Sequence, residues 1–270
     1  MIIDGRHIAE EIESELREKV PEISSLKDSH PRLGIICSEE SRDYSKMISK
    51  LCEKIGVQAI VHSFPSTASE EEVVHLVKVL NSDHEMDGIL LHRPMQIPDD
   101  KIIRSINSVK DVYGYHNYKK NCEAQAVIKI LDTIQAPVEG RHVVVIGRGE
   151  YVSIPIARTL IENGATVTVC HSKTFDLSWH TSQADIVVSG VGMPGLINAD
   201  MVKPDAVVID AGMSKIGDAW KGDAEDSVKD KVAYITPVPG GVGPVVSAMI
   251  LKNLIKNFAT REIGKTRIMI

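Results

Sequence analysis

The sequence predicts an α/β fold with two successive parallel sheets, and three observations carry that expectation. Short apolar runs bounded by turn residues alternate with segments of helical period along most of the chain. The alternation breaks once, between Tyr113 and Arg141, where a single apolar helix, AQAVIKILDTI, is followed by the turn PVEGR and a new strand. A glycine-bearing turn, GRGEYVS, joins the strand and the helix that open the second half.

The elements follow in order. From Ile8 to Val20 the pattern is helical and charged. PRLGIICS, residues 31–38, is a short apolar run and reads as a strand buried on both faces of a parallel sheet. Residues 42–55 return to helical period, and VQAIVHSF (57–64) reads as a second strand. EEEVVHLVKVLNS follows as a helix, MDGILLHRP as a strand and DKIIRSINS as a short helix, giving βαβαβ. After the break, HVVVIG (142–147) is a continuous apolar strand, and the helix IPIARTLIENG and the strand ATVTVCH come after the glycine turn. ADIVVSGVG and DAVVIDAG are two further strands of the same kind, so the second half reads as a Rossmann-like dinucleotide domain. A last helix, from about Val245 to Ile255, follows PVPGGVGP, and the pattern leaves open which domain it packs on.

Composition excludes several functions. The 270 residues and 43% apolar content suffice for a packed core. With 31 Lys and Arg against 37 Asp and Glu, a net charge of -6 and no basic run, nucleic acid is not an expected partner. No apolar stretch approaches the roughly 20 residues that span a bilayer, and MIIDGRHIAEEI lacks the form of a signal peptide. The expected location is cytoplasmic, with no membrane partner. Cys37, Cys52, Cys122 and Cys170 lack CxxC spacing, so neither a metal site nor a disulfide framework is expected.

Two motifs carry candidate chemistry. In GRGEYVS, Gly147 and Gly149 are present but Val152 stands where GxGxxG has its third glycine; the turn suits a pyrophosphate on backbone N–H groups, or is an ordinary tight βα turn. The next strand ends in CHSKT rather than in an acid that would hold a ribose 2′-hydroxyl. That absence, with Arg148 nearby, favours NADP over NAD, while Glu150 weighs mildly the other way. ITPVPGGVGP packs three prolines and three glycines into ten residues, a stiff loop whose main chain can approach a ligand closely, or else a linker.

PVPGGVGP at 237–244, VCHSKT at 169–174, VVVIGR at 143–148, KDVYGYH at 110–116 and SRDYSKMISKLCEKIGV at 41–57 together resemble the bifunctional methylenetetrahydrofolate dehydrogenase/cyclohydrolase family, over almost the full length. The resemblance implies a substrate domain at 1–118 completed by a C-terminal helix at 245–270, a NADP-binding Rossmann-like domain at 119–244, a cleft between them and a homodimer. It implies a folate-like substrate met by Leu91, Arg93, Pro239, Gly240, Gly241 and Gly243. The dinucleotide is expected over Gly147, Arg148 and Gly149, with its adenine ribose near His171 and Ser172 and its nicotinamide near Val191, Gly192, Gly212 and Met213.

At the substrate end the chain departs from the family pattern. The family's YxxxK sets tyrosine and lysine on one helix face, since four residues advance about 400°; here Tyr44 is kept and the lysine position is Ile48. Lys46 and Lys50 lie roughly 200° around the helix from Ile48 and read as surface lysines. LHRPMQIP places His92 where the family has a glutamine, and KDVYG places Tyr113 where it has an aspartate. NCEAQA keeps only Cys122 of PCTPxG. Tyr44, Ile48, His92 and Tyr113 are therefore the positions that decide the chemistry. Hydride removal from a methylene bridge needs positioning, whereas hydrolysis of the methenyl bridge needs a general acid/base, which isoleucine is not. Three readings follow: a methylenetetrahydrofolate dehydrogenase with weak or no cyclohydrolase activity; an enzyme repurposed for another one-carbon or small polar substrate by hydrolysis or group transfer; and a non-catalytic binding protein.

Overall fold

The computed structural model describes residues 1–261, and among them the chain divides into two compact units. One unit holds residues 11–120 and 248–261 of the described chain; the other holds 1–10 and 121–247. The α/β class with two parallel sheets is observed. No helix of the described residues is long and apolar enough to cross a membrane.

The first unit is built on three strands, β1 (Arg32–Ser38), β2 (Gln58–Phe64) and β3 (Gly88–Leu91), parallel in the order β2-β1-β3. The helix α1 (Gly5–Lys27), part of this unit from Glu11 onward, runs well beyond the expected Ile8 to Val20 and passes through Pro21. Ile8, Ile12, Leu16 and Val20 are buried at four-residue spacing and Ile23 continues that stripe, so burial of the apolar face outweighs the N–H that proline lacks. α2 (Arg42–Lys54) and α3 (Glu70–Ser82) connect the strands. A reciprocal capping box starts α3, with Ser69 N donating to Glu72 Oε2 (2.7 Å) and Glu72 N donating to Ser69 Oγ (3.2 Å). α4 is Asp100–Ser105, shorter than the expected segment. Leu33, Ile35, Ile36 and Ile89 form the fully buried centre of the sheet.

The second unit holds α5 (Cys122–Thr133), β4 (His142–Ile146), α6 (Ser153–Glu162), β5 (Thr166–Cys170), a short α7 (Leu177–Thr181), β6 (Ile186–Ser189) and β7 (Val207–Asp210). An antiparallel ribbon of β8 (Ser214–Ile216) and β9 (Ala219–Lys221) follows, and then β10 (Tyr234–Ile235). The parallel order is β10-β7-β6-β4-β5. Val144, Ile146, Val187 and Val208 pack with Ala184, Ile197 and Val228 into one buried cluster. α7, the ribbon and β10 were not expected, because each is too short to show a period.

By their contacts the first ten residues group with this second unit, whereas the sequence reading counts them with the first domain. The cause is main-chain pairing: Ile3 N donates to Ile235 O (2.9 Å) and Ile235 N to Met1 O (3.0 Å), lengthening the β10 edge. The last helix, α8 (Val242–Thr260), begins inside the glycine-proline motif, earlier than expected, since Pro244 is tolerated in a first turn. From Ala248 it belongs to the first unit, where Asn253 Nδ2 donates to Val112 O (3.0 Å) and Lys120 O (2.8 Å). The part of the expected 245–270 helix at 262–270 lies outside the described residues.

Candidate active site

In the first unit, Tyr44, His92, Tyr113 and Tyr115 follow from how β3 and α2 are built. Tyr44 stands in the first turn of α2, whose buried face is Ser45, Ile48 and Cys52. Ile48 is 0% exposed, a core residue with no polar group to offer. Lys46 and Lys50 are both exposed, and the Lys46 amine pairs with Asp43 at 3.2 Å. The lysine position is thus filled by packing, and the flanking lysines sit on the solvent face of the same helix.

His92 extends the sheet, its N–H donating to Ile36 O at 2.7 Å. Its ring stacks on Tyr44 with centroids 4.1 Å apart and planes 15° from parallel. Nδ1 is buried without a hydrogen-bond partner, and burial pulls the imidazole down to about 4, so the ring is neutral at pH 7. Leu91 is core, and its carbonyl accepts the Tyr115 hydroxyl at 2.8 Å. Burial raises that phenol well above its usual range. Arg93 is exposed and grips Asp99 through Nε (2.5 Å) and Nη2 (3.3 Å).

KDVYG is a structural turn that delivers an aromatic pair. The Lys110 amine closes the end of α3 by donating to the carbonyls of Leu80 (2.9 Å), Asn81 (2.8 Å) and Asp83 (2.5 Å). The Asp111 carboxylate accepts from Gly114 N (2.8 Å) and His116 N (2.9 Å), and Gly114 has φ +86. The turn sets Tyr113 against Tyr115, centroids 4.6 Å apart. Sequence reasoning missed Tyr115 and Asp111; the signal for Asp111 was an acid two residues before the turn tyrosine and three before a glycine.

In the second unit the residues expected to meet a dinucleotide follow the carboxyl ends of β4, β5, β6 and β7, and the strand order reverses between β4 and β6, the place where open parallel sheets bind ligands. Gly147 follows β4 with φ +117, and a Cβ there would lie 2.3 Å from Ser153 Oγ and 3.0 Å from Val191 Cγ1. Gly149 faces open space, and Arg148, Gly149 and Glu150 are exposed, so neither Glu150 nor the half-buried Tyr151 fills the turn. The place of the third glycine suits valine, because Val152 Cγ1 fills the space over Gly190 at 3.1 Å from where its Cβ would be. The first turn of α6 offers fewer amides than such turns usually do: Ile154 N–H donates to Gly149 O (3.0 Å) and Pro155 has none. Arg148 supplies a cation beside the amides that remain.

At the end of β5, His171 N donates to Thr174 Oγ1 (2.8 Å) and Lys173 N to His171 Nδ1 (3.1 Å), which puts the ring proton on Nε2. Ser172 is exposed beside it. Gly192 (φ +68) follows Val191, and its carbonyl accepts from Ser214 Oγ at 2.8 Å; Met213 is exposed next to Gly212. Pro239, Gly240, Gly241 and Gly243 lie in the same unit as these residues, and Leu91 and Arg93 in the other. The glycine loop packs on the chain's start: a Cβ at Gly5 would lie 1.8 Å from Gly241 O, and one at Gly240 3.4 Å from Arg6 Nε. Asp210 and Asp223, both buried here, were not anticipated. Their signal was glycine beside or near an acid on each side of a turn, in DAG and GD. Among the described residues no His, Cys, Asp and Glu cluster could hold a metal.

Comparison with known proteins puts the domain change at about the same point, between residues 113 and 121, while counting residues 3–10 with the catalytic domain and α8 with the NAD(P)-binding domain. The tetrahydrofolate dehydrogenase/cyclohydrolase catalytic domain matches residues 3–113, and the NAD(P)-binding domain of the same name matches 121–262. The bifunctional protein FolD of Nitratiruptor sp. is 38% identical over 278 residues, covering 97% of this chain and 99% of the relative. The crystal structure of the Campylobacter jejuni bifunctional methylenetetrahydrofolate dehydrogenase/cyclohydrolase superposes with a TM-score of 0.92 at 35% identity, covering 97% of this chain and 99% of that one. The Trypanosoma brucei enzyme, complexed with NADP cofactor and an inhibitor, gives 0.87 at 32% identity, covering 96% and 97%. With both domains matched and relatives above 30% identity along nearly the whole chain, this protein belongs to the tetrahydrofolate dehydrogenase/cyclohydrolase family.

Proposed function

We propose that the chain is a methylenetetrahydrofolate dehydrogenase that transfers hydride to NADP and hydrolyses the methenyl product weakly or not at all. The observation that carries the proposal is Ile48, fully buried at the family's lysine position while Lys46 and Lys50 face solvent. Loss of a general acid/base costs a factor of about 10² to 10⁴ in rate. The hydride step asks no proton of the protein, only alignment. Gly147, Arg148, Gly149, His171, Ser172 and Gly192 would hold the dinucleotide, whose nicotinamide supplies the hydride acceptor when bound. The absence of an acid at the end of β5, with Arg148 and Ser172 exposed, supports NADP, as does the NADP bound by the Trypanosoma brucei relative. β5 is a sheet edge carrying exposed Val169, with Phe175 exposed soon after, which supports the homodimer that the family resemblance implies.

The test supplies purified protein with methylenetetrahydrofolate and NADP and follows the methenyl and formyl products separately. Accumulation of the methenyl compound is expected, and its rapid conversion to the formyl product refutes the reading. The second reading, a pocket remodelled for another one-carbon or small polar substrate, draws on His92 and on the Tyr113 and Tyr115 stack, which put a neutral imidazole and a phenol where the family has an amide and a carboxylate. Dinucleotide binding without turnover of any folate would favour it.

A further inference from the structure

The loop that leaves β6 is held from below by a group that touches no expected ligand. Asp223 is 0% exposed; its Oδ2 accepts from Ser189 Oγ (2.6 Å) and Val191 N (2.9 Å), and its Oδ1 from Met193 N (2.6 Å). These donors bracket Gly192, whose carbonyl is held by Ser214 Oγ and whose φ is positive. The carboxylate fits because residue 212 is glycine: a Cβ there would lie 2.2 to 2.3 Å from its carboxylate atoms. The arrangement is reciprocal. Asp210 accepts from Gly212 N (3.0 Å) and Ala224 N (2.8 Å), and a Cβ at Gly222 would lie 2.1 Å from Asp210 Oδ2. Two aspartate and glycine pairs thus clamp the base of the β8 and β9 ribbon to the ends of β6 and β7.

The geometry points to Asp223 as a positioning residue of the dinucleotide end, fixing the main chain of Val191, Gly192 and Met193 for the cofactor through a space that Gly212 keeps open. The inference deepens the dehydrogenase reading and rests on it. A buried acceptor that satisfies two consecutive-turn amides leaves the loop one conformation, and the neighbouring Met193 and Met213 remain exposed beside it. Every residue of this arrangement belongs to the second unit, so its loss should be felt by the dinucleotide and not by the folate.

The experiment uses the full chain and calorimetry with NADP, with NAD, and with 5-formyltetrahydrofolate as the folate probe. Asp223→Asn keeps the shape but turns an –NH₂ toward an existing donor, and Gly212→Ala displaces the carboxylate while leaving its charge. For both, the dinucleotide dissociation constant should rise tenfold or more, folate binding should stay within twofold, and hydrogen exchange at 190–193 should quicken. Should Asp223→Asn not fold, Gly212→Ala decides. A folded variant that binds dinucleotide like the parent overturns the inference, as does equal weakening of both ligands or failure of both variants to fold, which would mark a core group only. A parent that binds folate but neither dinucleotide brings down the dehydrogenase reading itself, and this inference with it.

Discussion

Ile48→Lys puts the amine back where the family carries it, and the structure sets what that costs. The side chain is 0% exposed on the buried face of α2, between Ser45 and Cys52. Removing it from the core forfeits about 2 to 3 kcal/mol of apolar burial. If the new ammonium stays buried, its pKa falls by about 3 to 5 units, and because the amine then sheds its proton near neutrality the further cost at pH 7 is roughly 4 to 5 kcal/mol. If the stem lets the amine reach Tyr44 and water, most of that second cost disappears. At about 2 to 4 °C per kcal/mol, the thermal midpoint should therefore fall by about 4 to 12 °C in the second case and by more than about 12 °C in the first. The sign with pH is fixed, because a lysine whose folded pKa is depressed leaves the unfolded chain binding more protons. The variant should recover stability as pH rises from 7 toward 10, where its parent should not. Thermal melts across that range, with formyl production measured alongside, make the assay. A variant as stable as its parent, or one that binds folate and hydrolyses the methenyl compound no faster, refutes the reasoning.

His92 should tie stability to acid. Its folded pKa of about 4 lies below the unfolded value, so its contribution is present above about pH 6.5 and is lost as pH falls toward 4, by about 2 kcal/mol after allowance for its part-exposed ring; denaturant titrations of His92→Gln against the parent at pH 7.5 and pH 5 should show the slope removed. The dehydrogenase rate should be level from pH 6 to 9, because His92 is already neutral there and the Tyr115 phenol is held well above its usual range. A limb in the saturated rate centred near pH 6.5 would show that His92 titrates with substrate bound.

The strands with continuous apolar runs were legible because a buried parallel strand has no other reading once turns bound it. β1, β4, β6 and β7 fall inside the segments expected for them. α1 was misjudged at both ends, since Pro21 reads locally as a stop while burial of Ile23 rewards continuation. The contacts of the first ten residues with the second unit were not legible, because a main-chain pairing with Ile235, 232 or more residues away in sequence, leaves no trace in local pattern. At the site, helical spacing alone was enough to put Ile48 inward and its neighbouring lysines outward. The stacking of His92 on Tyr44 and the Asp210 and Asp223 clamp were invisible, because each depends on contacts between segments that only the sheet brings together.

The departures at the substrate end are better understood together than singly. Against the family pattern, Ile48 removes a cation and Tyr113 removes an anion, while His92, held neutral by burial, adds no charge. Losing the amine alone would have left an acid without a nearby counter-charge, and losing the acid alone would have stranded a buried ammonium; either is costly in a desolvated site. Exchanging both leaves a set of neutral rings, Tyr44 on His92 and Tyr113 on Tyr115, with the exposed Arg93 neutralised by Asp99. Such a surface favours flat, weakly charged groups, and its His92 imidazole is already neutral at pH 7. Hydride transfer, on the proposed reading, asks little of such an environment, since the nitrogen lone pair beside the methylene carbon provides the push and no side-chain proton is needed. The proposed weakness in hydrolysis follows from the same exchange, because water must be activated and the departing nitrogen protonated, and Ile48 stands where the family has its lysine.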